Sequence, residues 1–213
     1  MKELDKLNTE FIKSKEKIAK IFKNKHSAPN KNERLPPGQY LTEKFPVLDL
    51  GIQPDFNPNN WKLKVFGEVE ELKIFSYADI LKMPKTNITK DLTCVTHWTK
   101  YDVKWSGVLW KDFLKYIKVK PNAKAVMFYG ADGYSTNDII EDLDNAFLAY
   151  ELDGKPIPKD HGWPLRIIIP HLYAWKGSKF LNGIEFMKEN KPGFWEVRGY
   201  HIRGDIYREE RYS

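Results

Sequence analysis

The chain has a single cysteine in 213 residues, Cys94. An intramolecular disulfide is therefore impossible, and so are zinc sites built on paired cysteines such as C-x-x-C. No apolar run is long enough to span a bilayer, and the N-terminus shows neither the apolar core of a signal peptide nor a twin arginine, so the sequence reads as a cytoplasmic protein with no membrane span. The five histidines form no H-E-x-x-H or H-x-H pattern, and G-x-x-x-x-G-K-S/T and G-x-G-x-x-G are both absent. A histidine-based metal site therefore has no support in the sequence, and readings built on the common nucleotide loops fail.

What is present is a globular composition, 41% hydrophobic and 14% aromatic, enough to bury a substantial core rich in bulky strand residues. The formal charge is +6, from 35 Lys and Arg against 29 Asp and Glu. That balance favours an anionic ligand without requiring nucleic acid, and much of the lysine excess sits in the first 31 residues. There Leu4, Leu7, Phe11, Ile18, Ile21 and Phe22 recur at helical spacing, which predicts an amphipathic helix over 3–23 that packs on the body or on a partner. "HSAPNKNERLPPGQ" (26–39) reads as an extended linker. Residues 1–34 are thus expected to form a leading segment and 35–213 one domain.

Beyond Leu35 the period changes. Trp61, Leu63 and Val65 alternate with lysines as in a strand, and Ser76 with Asp79 opens a short helix that Pro84 closes. Further strands are predicted at 88–94, 124–129, 147–152 and 165–169, with short helices at 110–117 and 139–147. Asp153-Gly154 reads as a hairpin turn. Strands outnumber helices and no long crossover helices recur, so the expected class is a β-rich mixed α+β fold rather than a doubly wound sheet.

Cys94 lies in "KDLTCVTHWTKYDVKWSGVLW" (90–110), among polar neighbours that do not look like a core layer. A thiolate is a nucleophile or a soft metal ligand. Paired with His97 or His161 it would suit a Cys-His hydrolase or transferase. "HGWPLRIIIP" (161–170) sets His161 and Arg166 at the approach to an apolar strand. "WKGSKF" (175–180) offers backbone N–H groups and Lys179 to an anion such as phosphate. A third reading takes the tryptophans as stacking platforms of a basic nucleic-acid-binding module.

Four long segments occur in one order: "PPGQYLTEKFPVLDLG" (36–51), "LTCVTHWTKYDVKWSGVLWKDFL" (92–114), "AYELDGKPIPKDHGWPLRIIIPHLYAWKGSKFLNGIEF" (149–186) and "PGFWEVRGYHIRGDIYREERY" (192–212). In these the chain resembles the sulfite oxidase family of molybdopterin-dependent oxidoreductases, in particular its short single-domain members. The resemblance implies oxygen-atom transfer or equivalent two-electron chemistry on a small substrate, with molybdenum, or tungsten in its place, held by molybdopterin. It makes Cys94 the protein thiolate ligand to the metal and Tyr134 an active-site hydroxyl. His161, Arg166, Gly177, Ser178 and Lys179 match cofactor-holding positions, as does Asp132, while Lys44 and Phe45 stand in the early segment where the family carries an Arg-Asn-His-containing cofactor stretch, residue types this chain lacks there. The haem domain of larger relatives is absent, which implies a separate electron donor or acceptor protein. The arginine that follows the family's cysteine and helps bind sulfite is also absent: this chain reads Cys94-Val95-Thr96-His97-Trp98. Sulfite is therefore expected to be a poor substrate and a weakly charged one such as a sulfoxide a better one, unless Arg198 or Arg203 reaches the site.

Overall fold

The computed structural model describes residues 8–23, 25–27 and 34–213. Leu4, Leu7 and residues 28–33 of the expected linker lie outside them. Helix α1 (Thr9–Phe22) begins at Asn8, whose side-chain carbonyl accepts the Phe11 N–H at 3.0 Å. Then follow β1 (Tyr40–Leu41), β2 (Lys62–Gly67), β3 (Lys73–Ser76), α2 (Tyr77–Lys82), β4 (Thr86–Thr93), β5 (Trp98–Leu109) and α3 (Trp110–Phe113). The second half holds β6 (Ala125–Gly130), β7 (Ser135–Ile139), β8 (Phe147–Leu152), β9 (Lys155–Pro156), β10 (Arg166–Ile168) and β11 (Leu181–Met187). At α2 the Ser76 hydroxyl accepts the Asp79 N–H and the Asp79 carboxylate accepts the Ser76 N–H, the reciprocal cap that the S-x-x-D spacing predicts.

The strands form two sheets. One runs β1-β5-β8-β10, with β4 added on β5 and β9 on β8; the other runs β3-β2-β11-β6-β7. Apart from the parallel pairs β1/β5 and β2/β11, all pairs are antiparallel. The β8/β9 hairpin turns at Asp153 and Gly154, both at positive φ, as a D-G turn should.

One core unites Leu63, Val65, Phe128, Ile184 and Phe186 of the second sheet with Val108, Leu148 and Ile167 of the first. A second core covers the other face of the first sheet, with Trp105, Phe147, Ala149 and Ile168 packed among Cys94, Trp175, Trp195, Tyr200 and the α1 residues Ile12 and Ala19. Alternate residues of β8 thus enter different cores, which is why the strand is apolar without a polar face. At Gly107 the β5 ladder shifts register, and a Cβ there would lie 2.0 Å from the Leu148 carbonyl oxygen. Only glycine allows the two backbones to approach so closely.

Two expectations need correction. The helix predicted over 139–147 is a single 3-10 turn, Ile140–Leu143, because β8 claims Phe147 and Ile139 ends β7. The helix over 110–117 is α-helical only to Phe113 and continues as a 3-10 turn to Tyr116.

Candidate active site

Cys94 is the first residue after β4, in the tight turn into β5. Its N–H donates to the Trp98 carbonyl at 2.9 Å, and its own carbonyl accepts from His97 N–H and from Gln39 Nε2, both at 3.2 Å. Arg211 Nη1 donates to the Val95 carbonyl at 2.7 Å and fixes the turn from below. The side chain is 6% exposed, and Sγ lies 3.2 Å from Thr96 Oγ1. Burial pushes the thiol up, while the Thr96 hydrogen bonds and the charges of Lys15 and Arg211 act in the opposite sense.

Cys94 lines a cleft that opens to solvent. The hairpin from β6 to β7 contributes Asp132 and Tyr134, held by Gly130 N–H to Tyr134 O at 2.9 Å and Tyr134 N–H to Asp132 Oδ1 at 3.2 Å. Burial raises Asp132 to about 6. The Tyr134 hydroxyl donates to the Trp175 carbonyl at 2.5 Å, so in this state it is committed to backbone.

The 3-10 turn Lys159–His161 brings His161 to the cleft, its ring 4.1 Å from that of Phe45, and burial lowers its pKa. Five residues on, Arg166 opens β10. It is 4% exposed, donates from Nη1 to the His161 carbonyl at 2.8 Å and lies 5.3 Å from the Trp105 ring, while Nε has no hydrogen-bond partner. Burial alone depresses it to about 10.

The turn after Ala174–Lys176 completes this wall. A Cβ at Gly177 would lie 2.6 Å from the Ile167 carbonyl oxygen, so the turn rests directly on β10. Lys179 Nζ donates to the Asp160 carbonyl at 2.8 Å, and its nearest carboxylate, Asp49, is 3.9 Å away. Burial and the charge of Arg166 lower it to about 8.

Phe45, Cys94, Asp132, Tyr134, His161, Arg166, Gly177 and Lys179 therefore share one cleft. Two of the expected residues do not reach it. Lys44 is exposed, and Ser178 is fully buried behind the wall, its hydroxyl on the Lys179 carbonyl. His97 is exposed, with Nδ1 2.8 Å from the Gly38 carbonyl oxygen, so it forms no pair with the Cys94 thiol. Arg198 pairs with Glu16 and Arg203 with Asp142, and neither lines the cleft. Trp61, Trp98, Trp105, Trp110, Trp175 and Trp195 are buried, and half-buried Trp163 packs edge-on against Phe56 and Tyr77, so no tryptophan is an exposed stacking platform of the kind the nucleic-acid reading needs.

Sequence reasoning missed Phe11 and Lys15 from α1, Asp49, and the aromatic wall of Trp175, Trp195 and Tyr200. In that wall Trp195 stacks on Tyr200 at 5.0 Å and Trp175 meets Tyr200 edge-on at 5.1 Å. The tryptophans in "AWKGSKF" and "GFWEVRGY" were the available signal.

The donor set suits a molybdopterin. Buried Arg166 has an unpartnered N–H and, among the described residues, no carboxylate within 4.0 Å; Lys179 has only a long one. Both are desolvated cations facing a cleft that contains a thiol, an arrangement that an anionic, sulfur-bearing cofactor with a soft metal would satisfy.

Comparison with known proteins gives the same direction. Residues 50–195 match the family model described as the oxidoreductase molybdopterin binding domain. The chain is 38% identical over 196 residues to the uncharacterized oxidoreductase YuiH of Bacillus subtilis (strain 168), covering 91% of this chain and 99% of that one. It is 27% identical over 190 residues to the mitochondrial sulfite oxidase of Drosophila melanogaster, covering 76% of this chain and 32% of the larger protein. In fold it is similar to the sulfane dehydrogenase SoxCD from Paracoccus pantotrophus, with a TM-score of 0.61 at 21% identity over 67% of this chain and 42% of that one.

Proposed function

Because the chain belongs to the sulfite oxidase-like family of molybdopterin-binding oxidoreductases, we propose that its cleft holds a mononuclear molybdenum, or tungsten, through molybdopterin and Cys94, and acts on a small substrate. When bound, the cofactor supplies two-electron oxygen-atom chemistry. The observation that carries the reading is Arg166, a buried guanidinium with an unsatisfied N–H in the same cleft as the thiol.

In this reading Cys94 gives the metal its one protein thiolate. The raised thiol then fits a residue whose charge is neutralised by a metal rather than by solvent. Arg166, Lys179 and His161 hold the polar and anionic parts of the cofactor, and Gly177 lets the turn that carries Lys179 lie flat on β10. Asp132, at about 6, holds its proton in mildly acidic solution and loses it near neutrality, so it either donates or accepts at the cleft wall. Trp175, Trp195 and Tyr200 restrict water. Tyr134 meets the substrate side only after leaving the Trp175 carbonyl. Among the described residues no helix is long and apolar enough to cross a membrane. A separate protein is the proposed electron donor or acceptor.

Metal and pterin analysis of the purified protein tests the assignment, together with Cys94→Ser. The variant should keep its fold, lose activity and show altered metal ligation, because a hydroxyl is a poor donor to a soft site. Full activity with an unchanged metal spectrum would sink the reading.

A further inference from the structure

Helix α1 lies outside the family match, which begins at residue 50, yet it reaches the cleft. Its inward face carries Phe11, Ile12, Lys15 and Ala19, spaced as neighbours on successive turns. Ile12 and Ala19 are buried in the second core, and Phe11 packs edge-on to Trp195 at 6.3 Å. These contacts fix the helix against the aromatic wall. Lys15, between them, lines the cleft with Nζ 5.2 Å from the Phe11 ring, whereas Lys13, Lys17 and Lys20 are exposed.

A lysine on the packed face of an amphipathic helix loses hydration and is normally matched by a carboxylate. Here the adjacent carboxylate, Glu16, is taken by Arg198 at 3.1 Å, and among the described residues no carboxylate lies within 4.0 Å of the Lys15 ammonium. The other cations of the cleft come from the 159–179 segment and have the cofactor to serve in the reading above, on which this step rests. Lys15 comes from a different element.

We propose that Lys15 is a specificity-determining residue: α1 forms one wall of the substrate pocket, and the Lys15 ammonium selects a substrate that carries a negative charge. The missing arginine after Cys94 pointed to a weakly charged substrate. The fold restores a cation at the cleft from a residue 79 positions earlier.

The test uses purified full-length protein with inorganic sulfate as an inert anionic probe and dimethyl sulfoxide as a neutral one, both measured by calorimetry, with cofactor content assayed in parallel. Lys15→Gln should weaken sulfate binding by about tenfold, the loss of one charge-assisted hydrogen bond. Lys15→Arg should restore most of it, and Lys13→Gln on the exposed face should change nothing. Binding of dimethyl sulfoxide and cofactor content should match the wild type throughout. Equal sulfate affinity in wild type and Lys15→Gln, absence of measurable sulfate binding by the wild type, or loss of both probes together would overturn the proposal. A fall in cofactor content confined to Lys15→Gln would also overturn it, since the lysine would then serve the cofactor. Wild-type protein without pterin would instead defeat the cofactor assignment, while the sulfate comparison would still be readable.

Discussion

Lys176 and Lys179 lie in one turn, three residues apart, and meet opposite fates. Lys176 is fully buried and saturated: Nζ donates to Glu196 at 2.8 Å, to the Ile202 carbonyl at 3.0 Å and to Asn137 at 3.3 Å. Glu196 in turn accepts from Thr136 and from the indole N–H of Trp175. Lys179 is nearly as deep, its side chain 14% exposed, but has one carbonyl and a carboxylate at 3.9 Å. A buried charge with its partners in place ties elements together, here β7, the Trp175 turn and the Glu196 turn. A buried charge left short of partners is a place for something else to bind.

The widest expected separation between the two is in stability. Lys176→Met strips the buried Glu196 of its cation and should cost about 3–5 kcal/mol in urea unfolding. Lys179→Met removes a desolvated charge with one backbone hydrogen bond and should leave the fold as stable as the wild type or more stable. Equal losses would erase the contrast.

Cofactor retention should separate them the other way. Lys179→Ala and Arg166→Ala each delete a charge-assisted hydrogen bond worth about 1.5–3 kcal/mol, and molybdopterin occupancy of the purified variants should fall. Arg208→Ala, whose side chain is 69% exposed, should retain the wild-type content. Full occupancy in both cleft variants would reduce Arg166 and Lys179 to structural cations.

The same comparison explains what the sequence made legible. Strands β2, β4, β6, β8 and β10 follow from apolar or alternating runs, and α2 from its cap residues. Strand β7 reads "STNDI" and has no apolar period, because Thr136, Asn137 and Asp138 are buried through the Lys176 and Glu196 network rather than by hydrophobicity. Strand β11 lies between β2 and β6 but carries Asn182-Gly183, a turn signal; the structure uses it as a register shift where Gly183 packs against Tyr129. Both are tertiary effects without a local signature. At the site, the resemblance pointed to residues from four separated segments, whereas composition and spacing alone left Cys94 ambiguous. Lys15 escaped notice because a lysine on an amphipathic helix is ordinarily on the solvated face, and only packing shows which face that is.

The smallest effect concerns pH. Burial and the neighbouring Arg166 lower Lys179 to about 8, against an ordinary value near 10.5. In cofactor-free protein the unfolded chain therefore keeps this proton between about pH 8 and 10.4, where the folded chain has released it. The unfolded state binds more protons in that window, so the sign is fixed: this residue makes the fold more stable as pH rises through it. One proton allows at most about 1.4 kcal/mol per pH unit, and partial titration makes the gain from pH 8 to 9 about 1 kcal/mol. Other groups titrate there too, so the measurement is a difference: urea unfolding of cofactor-free wild type against Lys179→Met, at both pH values. The pH 8 to 9 increment should be about 1 kcal/mol larger in the wild type. Identical increments would mean that Lys179 is not desolvated in the empty cleft, and its contrast with Lys176 would then rest on hydrogen-bond partners alone.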